Sequence, residues 1–321
     1  MPAKSGITRR EVVRGITAGS LLPLLGANLA GCSDSSDRSS QVQSVPAEFL
    51  HGVASGDPLS DRVILWTRAT PETEGTVVID WEVATDESFE EVVSSGSGTT
   101  DAAVDYTFKV DAQGLDPGTT YYYRFRTGDR VSLSGSTRSA AAVTTEQARF
   151  AVVSCSNYPA GYFHVYRDIA EKRVDAVLHL GDYIYEYAVD GYASEDAAAL
   201  GRLSLPENEL LSLSDYRTRY AQYRGDADLQ ACHAAHPFIV VWDDHEVANN
   251  AWRDGASNHD PATEGDFGER RAAAIQAWYE WLPVRPPASA REIIYRDYSY
   301  GDLVQLFMLD TRIIGRDQQL D

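Results

Sequence analysis

Residues 175–187 read DAVLHLGDYIYEY, and this stretch decides the fold class of the chain. An apolar run that stops abruptly at carboxylate and phenol side chains is typical of a buried parallel strand whose carboxyl end carries ligands. Residues 242–250, WDDHEVANN, end a second apolar run in the same way, and a third run ends at Ser154, Cys155 and Ser156. Three such strands predict a sheet with a polynuclear metal site along one edge.

The pattern around these runs alternates between strands and helices. Alternation of this kind is typical of α/β architecture, in which helices cover a mainly parallel sheet. The predicted strands are 150–153, 176–180, 238–242, 291–298 and 302–309, and the predicted helices are 162–172, 216–224, 227–235 and 269–281. We therefore expect an α/β domain over residues 147–321.

The part of the chain before this domain reads as all β. Short runs rich in β-branched and aromatic residues occur at 62–68, 77–84, 106–110 and 120–127. Turn signals rich in Gly, Pro and Ser separate these runs, at 55–58, 95–98 and 116–118. This spacing favours a β-sandwich of the immunoglobulin or fibronectin type III kind over residues 47–146.

The N-terminus, residues 1–31, reads as an export leader. Arg9 and Arg10 precede an uncharged stretch, 15–31, whose Pro and Gly residues are typical of a signal peptide rather than a membrane span. The arginine pair indicates the twin-arginine route. The sequence Leu-Ala-Gly-Cys resembles a bacterial lipobox, so we expect cleavage before Cys32, lipidation of its thiol and anchoring to a membrane. The alternative is an ordinary signal peptide with an accidental cysteine.

Cleavage would leave a periplasmic or cell-surface chain that begins with a flexible Ser/Asp/Gln-rich tether at 32–46. Hydrophobic residues make up 43% of the sequence and the formal net charge is −20. This charge argues against sequence-independent binding to nucleic acid, which needs a basic face. It does not exclude an anionic substrate, because bound cations invert the local field. We expect a monomer.

Cys155, Asp182 and Tyr185 are the strongest candidate metal ligands. Gly181 lets the backbone turn sharply, so that Asp182 can project over the sheet edge and bridge two cations. Tyr185 follows closely enough to return to the same side. A phenolate and a thiolate together favour iron(III) over magnesium, because both donate strongly and need a strong Lewis acid. A buried thiol without a ligand role is the alternative for Cys155, and it is the expected role of Cys232.

Two carboxylates and an imidazole, Asp243, Asp244 and His245, follow the third apolar run. Ionisable side chains at the end of a buried strand cost too much desolvation unless they are paired or bind a metal. Asn250 could supply an amide oxygen to a harder cation such as calcium. A solvated acidic loop is the alternative. A polynuclear site of this composition is most often used to hydrolyse phosphate esters.

Six motifs, in order, carry a resemblance to one known family. They are SCSNYPAGYFHVYRDIA, VLHLGDYIYEY, LSDYRTRYAQYR, VVWDDHEVANN, ERRAAAIQAWYEWLPVR and LFMLDTR. The chain resembles the PhoD-type alkaline phosphatase/phosphodiesterase family of the calcineurin-like metallophosphoesterases. Residues 49–68, FLHGVASGDPLSDRVILWTR, are similar to that family's N-terminal fibronectin-like domain. The resemblance implies an αββα sandwich core, twin-arginine export, and hydrolysis of small phosphomonoesters and phosphodiesters.

The resemblance also implies the cofactors, Fe(3+) and Ca(2+), and their ligands. Asp182 would bridge the two cations, and His245 would face the charge that develops on the phosphoryl group, so these two residues would carry the catalysis. By analogy with the wider superfamily, Asp244 aligns with a metal-binding Asn. The implied iron ligands are Cys155, Asp182 and Tyr185, and the implied calcium ligands are Asp182, Asn250 and either Asp243 or Asp244.

A carboxylate, Asp243 or Glu246, is expected to hold His245 in place. Arg312 is a candidate phosphate clamp, and a structural ion pair with Asp310 is the alternative. Members of the family continue to a Gly-Asp-x-His motif that completes the metal site, and the sequence ends at residue 321 without one. We therefore expect either the N-terminal portion of a longer enzyme, with an incomplete core, or a truncated product with an incomplete site.

Two other interpretations of the function stay open. One is a phospholipase D-like phosphodiesterase that acts on lipid head groups, which membrane anchoring would favour. The other is a non-catalytic, lipid-anchored binding protein with a truncated phosphatase-like half.

Overall fold

A computed structural model describes residues 43–287 and 293–319. Residues 42–321 cluster as one unit, so the two expected domains are described together. The predicted leader and the predicted lipidation site at Cys32 lie outside the described residues. No helix within the described ranges is long and apolar enough to cross a membrane.

The first half of the described chain consists of short strands, as its β-branched and aromatic runs predict. One 3-10 helix, Ala102–Val104, interrupts them. The strands are β1 (Ala47–Glu48), β2 (Val53–Gly56), β3 (Arg62–Arg68), β4 (Thr70–Pro71), β5 (Val77–Ala84), β6 (Val92–Thr100), β7 (Thr107–Gln113), β8 (Thr120–Thr127), β9 (Arg130–Val131) and β10 (Gly135–Arg138).

The second half alternates between strands and helices, as predicted. The strands are β11 (Phe150–Val153), β12 (Ala176–His179), β13 (Pro237–Val240), β14 (Arg296–Tyr300) and β15 (Val304–Met308). The helices are α1 (His164–Ala170), α2 (Ala197–Leu200), α3 (Leu213–Arg224), α4 (Ala227–Ala235), α5 (Pro261–Glu264) and α6 (Phe267–Trp281), with a 3-10 helix at Tyr158–Ala160.

The longer helices begin where the sequence supplies polar caps. The Ser212 side chain accepts a hydrogen bond from the backbone N–H of Asp215, and the Asp215 carboxylate accepts one from the Ser212 N–H, which completes a capping box. Asp226 and Asp266 cap α4 and α6 through their side-chain oxygens. The caps of α3 and α6 precede the predicted starts, so both helices are longer than their apolar periodicity indicates.

One six-stranded sheet joins the two expected domains. Its strand order is β11-β12-β13-β2-β3-β7, and its first four strands run parallel. Ser55 and Gly56 of β2 lie opposite Pro237 and Phe238 of β13. A Cβ at position 56 would lie 2.3 Å from the carbonyl oxygen of Pro283, so only glycine fits at this junction. The expected domain boundary is therefore not a boundary of the sheet.

A β-sandwich forms between this sheet and a second sheet. The second sheet has the strand order β10-β8-β5-β6, with β9 paired to β8. Val63 of β3 shares an apolar core with Ile79 and Phe125 of the second sheet. On the other face of β3, Nε1 of Trp66 donates a hydrogen bond to the carbonyl oxygen of Glu280 at 2.7 Å. Because β3 is buried on both faces, its sequence is an almost continuous apolar run.

The turn predicted at 95–98 is wrong, because these residues lie inside β6. This strand pairs with β5 along its length. A Cβ at Gly96 would come within 2.9 Å of the Trp81 ring, and one at Gly98 within 2.7 Å of the Phe108 ring. The small residues therefore let two aromatic rings pack over the strand. Composition alone suggests a turn, since it does not show these contacts across the sheet.

The strand predicted at 291–298 begins only at Arg296 and pairs with β15 in a hairpin. Just before it, the carbonyl oxygen of Ile293 accepts a hydrogen bond from the hydroxyl of Tyr279 at 3.1 Å, and Ile294 enters the core. These residues are held by α6 rather than by a neighbouring strand. An apolar sequence therefore marks burial here without marking a strand.

The hairpin β14–β15 lies beside the parallel strands, where the rings of Tyr300 and Phe150 meet edge to face with centroids 4.9 Å apart. Helices α1, α3, α4 and α6 share the core of β12 and β13. Besides the two sheets of the sandwich, the described residues form two two-stranded sheets, β1 with β4 and this hairpin. The complete αββα arrangement stays an expectation.

Candidate metal centre

The three predicted strand ends lie side by side. Because β11, β12 and β13 are parallel neighbours, their carboxyl ends share one edge of the sheet. Cys155, Asp182 and Asp244 follow these strands in that order. The backbone N–H of Cys155 donates to the carbonyl oxygen of Gly181 at 3.1 Å, which ties the first two strand ends together. The candidate ligands therefore meet at one edge, as the sequence predicts.

The backbone at this edge is strained. Cys155, Asp182 and Asn250 have φ angles of 58°, 54° and 54°, in the left-handed region that residues with a Cβ rarely adopt. Gly181 has a φ of 108°, and a Cβ there would lie 2.2 Å from the backbone nitrogen of Asp243. Such strain persists only where the surrounding structure enforces it, and it clusters at functional sites.

A thiol and a phenol converge on one carboxylate. Oδ2 of Asp182 lies 3.5 Å from Sγ of Cys155 and 3.1 Å from the hydroxyl of Tyr185, and it accepts a hydrogen bond from each. Oδ1 of Asp182 accepts a longer hydrogen bond, 3.4 Å, from the backbone N–H of His245. A cation among the three side chains would take the place of the two protons. This donor set therefore fits a strong Lewis acid.

Asp182 belongs to a second group as well. One ligand atom from each of Asp182, Asp244 and His245 lies within 4.8 Å of the other two. Oδ2 of Asp244 accepts a hydrogen bond from the backbone N–H of Asn250 at 2.5 Å and lies 3.9 Å from Nε2 of His245. A carboxylate shared by two adjacent groups has the placement that bridging between two cations requires.

Asp243 faces Arg312 instead of this group. Nε and Nη2 of Arg312 donate to the two carboxylate oxygens of Asp243 at 2.6 and 3.0 Å, and Nη2 also lies 3.0 Å from Oδ1 of Asp244. The alternative ion pair with Asp310 is absent from the described residues, since Asp310 accepts backbone N–H groups there. Of the two aspartates left open by the sequence, Asp244 is the one the structure brings to Asp182.

Glu186 holds the imidazole of His245, a role that was not predicted. Oε2 of Glu186 lies 2.7 Å from Nδ1 of His245. Its other oxygen accepts hydrogen bonds from the backbone N–H of Asn249 at 2.7 Å and from the side chain of Asn258 at 2.9 Å. Glu186 is fully buried and fixed from three directions. Its place in the same run as Asp182, four residues later, is the signal that could have identified it.

The structure thereby corrects the expected partners of His245, which were Asp243 and Glu246. Glu246 accepts hydrogen bonds from the backbone N–H groups of Tyr183 at 2.6 Å and Asp243 at 2.9 Å, and so braces the two loops that carry the ligands. Burial, together with the nearby charge of Asp182, raises the pKa of Glu246.

Burial and neighbouring charges shift the pKa values of the ionisable groups in the site. It raises the pKa of both Asp182 and Asp244 above the ordinary value. Burial also opposes the charge of His245, but the hydrogen bond with Glu186 and the neighbouring carboxylates outweigh it and raise the pKa of His245 to about 9. The site therefore places a protonated imidazole among carboxylates whose ionisation is opposed by burial.

The third candidate iron ligand, Tyr185, has a phenol whose ionisation is strongly opposed by its surroundings. Burial, followed by the charges of Asp182 and Cys155, raises the pKa of the Tyr185 phenol far above its ordinary value. Its ring stacks on His245 with centroids 4.3 Å apart. A phenol in this position ionises only where a strong cation replaces its proton. The thiol, the phenol and the strained carboxylate thus fit a bound multivalent cation.

A sheet edge with these donors defines a candidate metalloenzyme, and comparisons with known proteins place it in a family. The model of the PhoD-like phosphatase matches residues 150–321, and the model of that family's N-terminal domain matches residues 33–141. The chain belongs to the PhoD-like phosphatase family.

One curated relative is alkaline phosphatase D of Bacillus subtilis (strain 168), which is 42% identical over 282 residues. This alignment covers 84% of the chain and 48% of the relative, so the chain spans about half the length of that relative. A solved structure of PhoD is 40% identical and superposes with a TM-score of 0.77, covering 87% of this chain and 55% of that one.

Proposed function

We propose that the protein is a metal-dependent phosphoesterase that hydrolyses phosphomonoesters, phosphodiesters or both. The observation that carries this proposal is the convergence of the Cys155 thiol and the Tyr185 phenol on Asp182, which in turn neighbours Asp244 and His245. Membership in the PhoD-like phosphatase family supports the same reaction class.

The proposed cations are iron(III) and calcium. Cys155, Asp182 and Tyr185 would hold the iron, and Asp182 would bridge to a calcium held with Asp244 and the side chain of Asn250. Bound there, the cations would supply Lewis acidity to the phosphoryl oxygens and acidify an attacking water. Iron(III) matches the side with the thiol and the phenol, because both donate strongly as anions. Calcium matches the other side, because it prefers oxygen donors.

His245 is the proposed acid of the site. The hydrogen bond between Nδ1 and Glu186 favours the protonated ring, so that Nε2 could stabilise charge on the phosphoryl group or protonate the leaving oxygen. Glu186 fixes the ring through Nδ1, which leaves Nε2 directed toward Asp244 and the centre. Arg312 is the proposed phosphate clamp, placed beside the centre by its pairs with Asp243 and Asp244.

The proposal is tested on the purified protein by elemental analysis and by colorimetric hydrolysis of p-nitrophenyl phosphate and bis(p-nitrophenyl) phosphate. Bound iron together with turnover of either ester supports a metal-dependent phosphoesterase. The ratio of the two rates separates a monoesterase from a phospholipase D-like diesterase. Metal-replete protein that turns over neither ester would favour the non-catalytic, lipid-anchored alternative.

Export by the twin-arginine route and a lipid anchor at Cys32 are a second part of the proposal. It is supported by the arginine pair Arg9 and Arg10 and by the lipobox-like sequence before Cys32. Replacement of both arginines by lysine should retain the protein in the cytoplasm, and Cys32→Ala should release it from the membrane fraction. Unchanged fractionation of both variants would exclude this part of the proposal.

A further inference from the structure

A cavity of about 540 Å³ opens at the end of the parallel strands opposite the metal centre. It is bounded by residues that precede β11, β12 and β13, by the segment that follows α1, and by the outer face of β8 and β10. β11 and β12 are four residues long, so roughly 13 Å of strand separates this cavity from the ligand loops. The cavity is therefore a separate site.

The lining of this cavity is basic, in a chain whose net charge is −20. Four cationic side chains line it, and Asp175 is the only acidic residue among the lining residues. The four cations are Arg138, Arg149, Lys172 and Arg173. In a protein this acidic, a concave cluster of positive charge attracts anions against the field of the rest of the surface.

Two of these cations are paired and two are not. Nε of Arg138 lies 3.0 Å from Asp175, and Nζ of Lys172 lies 2.9 Å from Asp168. In the described part of the chain, the guanidinium groups of Arg149 and Arg173 have no hydrogen bond or ion pair; Arg149 contacts Asp175 only through its backbone. Arg149 and Arg173, both solvent-exposed, thus line the cavity without a side-chain partner among the described residues, while the pairs with Asp175 and Asp168 compensate Arg138 and Lys172.

Stabilisation of helix ends accounts for only part of this cluster. Lys172 and Arg173 follow the carboxyl end of α1, where a cation is favoured by the helix dipole. Arg149 lies just before a strand and has no such role. On the sheet side, the register places Ser136 opposite Tyr122 and Arg138 opposite Thr120, so hydroxyl groups share the cationic face.

We propose that this cavity binds a small phosphate-bearing anion that carries two or more negative charges. Guanidinium groups match phosphate oxygens in planar, two-pronged hydrogen bonds, and the hydroxyls of Thr120 and Ser136 supply further donors. The cavity volume lies within the usual range for small-molecule sites and exceeds the space that one inorganic phosphate fills.

Isothermal titration with inorganic phosphate and pyrophosphate tests this proposal. The chelator-treated Asp182→Asn protein is used first, so that the metal centre does not contribute, and the unsubstituted protein second. We expect pyrophosphate to bind more tightly than phosphate, with an affinity that falls with salt. Arg149→Gln/Arg173→Gln should weaken pyrophosphate binding at least about 10-fold, because two charge-assisted contacts are lost.

Arg130→Gln/Arg167→Gln is the matched control. It removes the same charge from two exposed arginines outside the cavity lining. In each background it should leave the pyrophosphate affinity within about twofold of that of the parent protein. The proposal is overturned if pyrophosphate does not bind, if the Arg149/Arg173 variant binds it as well as the parent, or if the control loses as much affinity. Circular dichroism confirms that each variant is folded.

Discussion

The two ends of the same three parallel strands differ in charge and in backbone strain. At the carboxyl ends, carboxylates, a thiol and a phenol crowd around Asp182. At the amino ends, a cationic cavity is lined by Arg149 and Arg173, whose side chains have no partner in the part of the chain that the structure describes. Left-handed backbone occurs at Cys155 and Asp182 but at none of the residues that line the cavity.

This difference shows that side-chain positions must be more precise at the carboxyl ends of the strands than at the amino ends. Metal ligands need fixed directions, so the chain accepts strain at the turns that deliver them. Long cationic side chains reach an anion from a relaxed backbone, because their own torsions supply the adjustment. Substitutions at the carboxyl ends should therefore affect chemistry strongly, whereas those at the amino ends should affect only affinity for anions.

Asp182→Asn should have the largest effect. It removes the carboxylate on which both groups of donors depend, so bound iron should be lost and phosphoesterase activity should fall by at least about 10³-fold, more than a single hydrogen-bond donor contributes. Elemental analysis and ester hydrolysis measure the two losses. Asp190→Asn, at an exposed position in the following loop, is the matched control and should retain both. Full metal content in Asp182→Asn would refute the assignment.

Gly181→Ala should lower activity by about 10²-fold while the protein stays folded. The alanine would have to adopt a φ of 108°. Its Cβ would lie 2.2 Å from the backbone nitrogen of Asp243, so the loop after β13 must move. Displacement of a catalytic group by about 1 Å can cost this much. Gly315→Ala, where a Cβ meets nothing within 4 Å, is the control. Equal activity of the two variants would show that the strained turn is not needed.

Glu186→Gln should reduce kcat by roughly 10–100-fold and leave bound metal in place. The amide keeps the shape of the side chain but removes the charge that holds the His245 imidazolium through Nδ1. Glu195→Gln, in an exposed segment, controls for the loss of one negative charge. A variant that loses metal in proportion to activity would indicate that Glu186 supports the ligands rather than His245.

The sequence was informative about the candidate ligands because apolar strands end in polar groups. Cys155, Asp182 and Asp244 each follow such a strand, and parallel strands bring their carboxyl ends to one edge. The sequence does not predict the role of Glu186, because its partner, His245, lies on a different loop, and which carboxylate reaches an imidazole depends on three-dimensional packing. The same limit applied to Asp243, whose pairing with Arg312 joins distant parts of the chain.

The fold shows the same division between features set by nearby residues, which the sequence predicts, and contacts between distant residues, which it does not. Local patterns predicted β3, β5, β8 and the longer helices, since propensity, alternation and caps act within a few residues. They did not predict that β2 pairs with β13, because that pairing links residues far apart and depends on the close approach that Gly56 permits. They also predicted a turn at 95–98, inside β6, because the rings of Trp81 and Phe108 that explain its glycines lie elsewhere in the sequence.

The smallest effect expected concerns the stability of the chelator-treated protein. Burial raises the pKa of Asp182, so without a cation the folded state disfavours the ionised carboxylate, and stability is lost as pH rises from the ordinary carboxylate range through the raised value. Asparagine carries no charge, and Asp182→Asn should therefore raise Tm of the metal-free protein by roughly 1–3 °C at pH 8. At pH 4.5 the gain should shrink, because the carboxyl is then protonated in the folded state. Thermal unfolding at both pH values measures the difference. A lower Tm for Asp182→Asn at pH 8 would mean that the hydrogen bonds accepted by this carboxylate outweigh its burial, and that the metal end of the sheet is not the destabilised one.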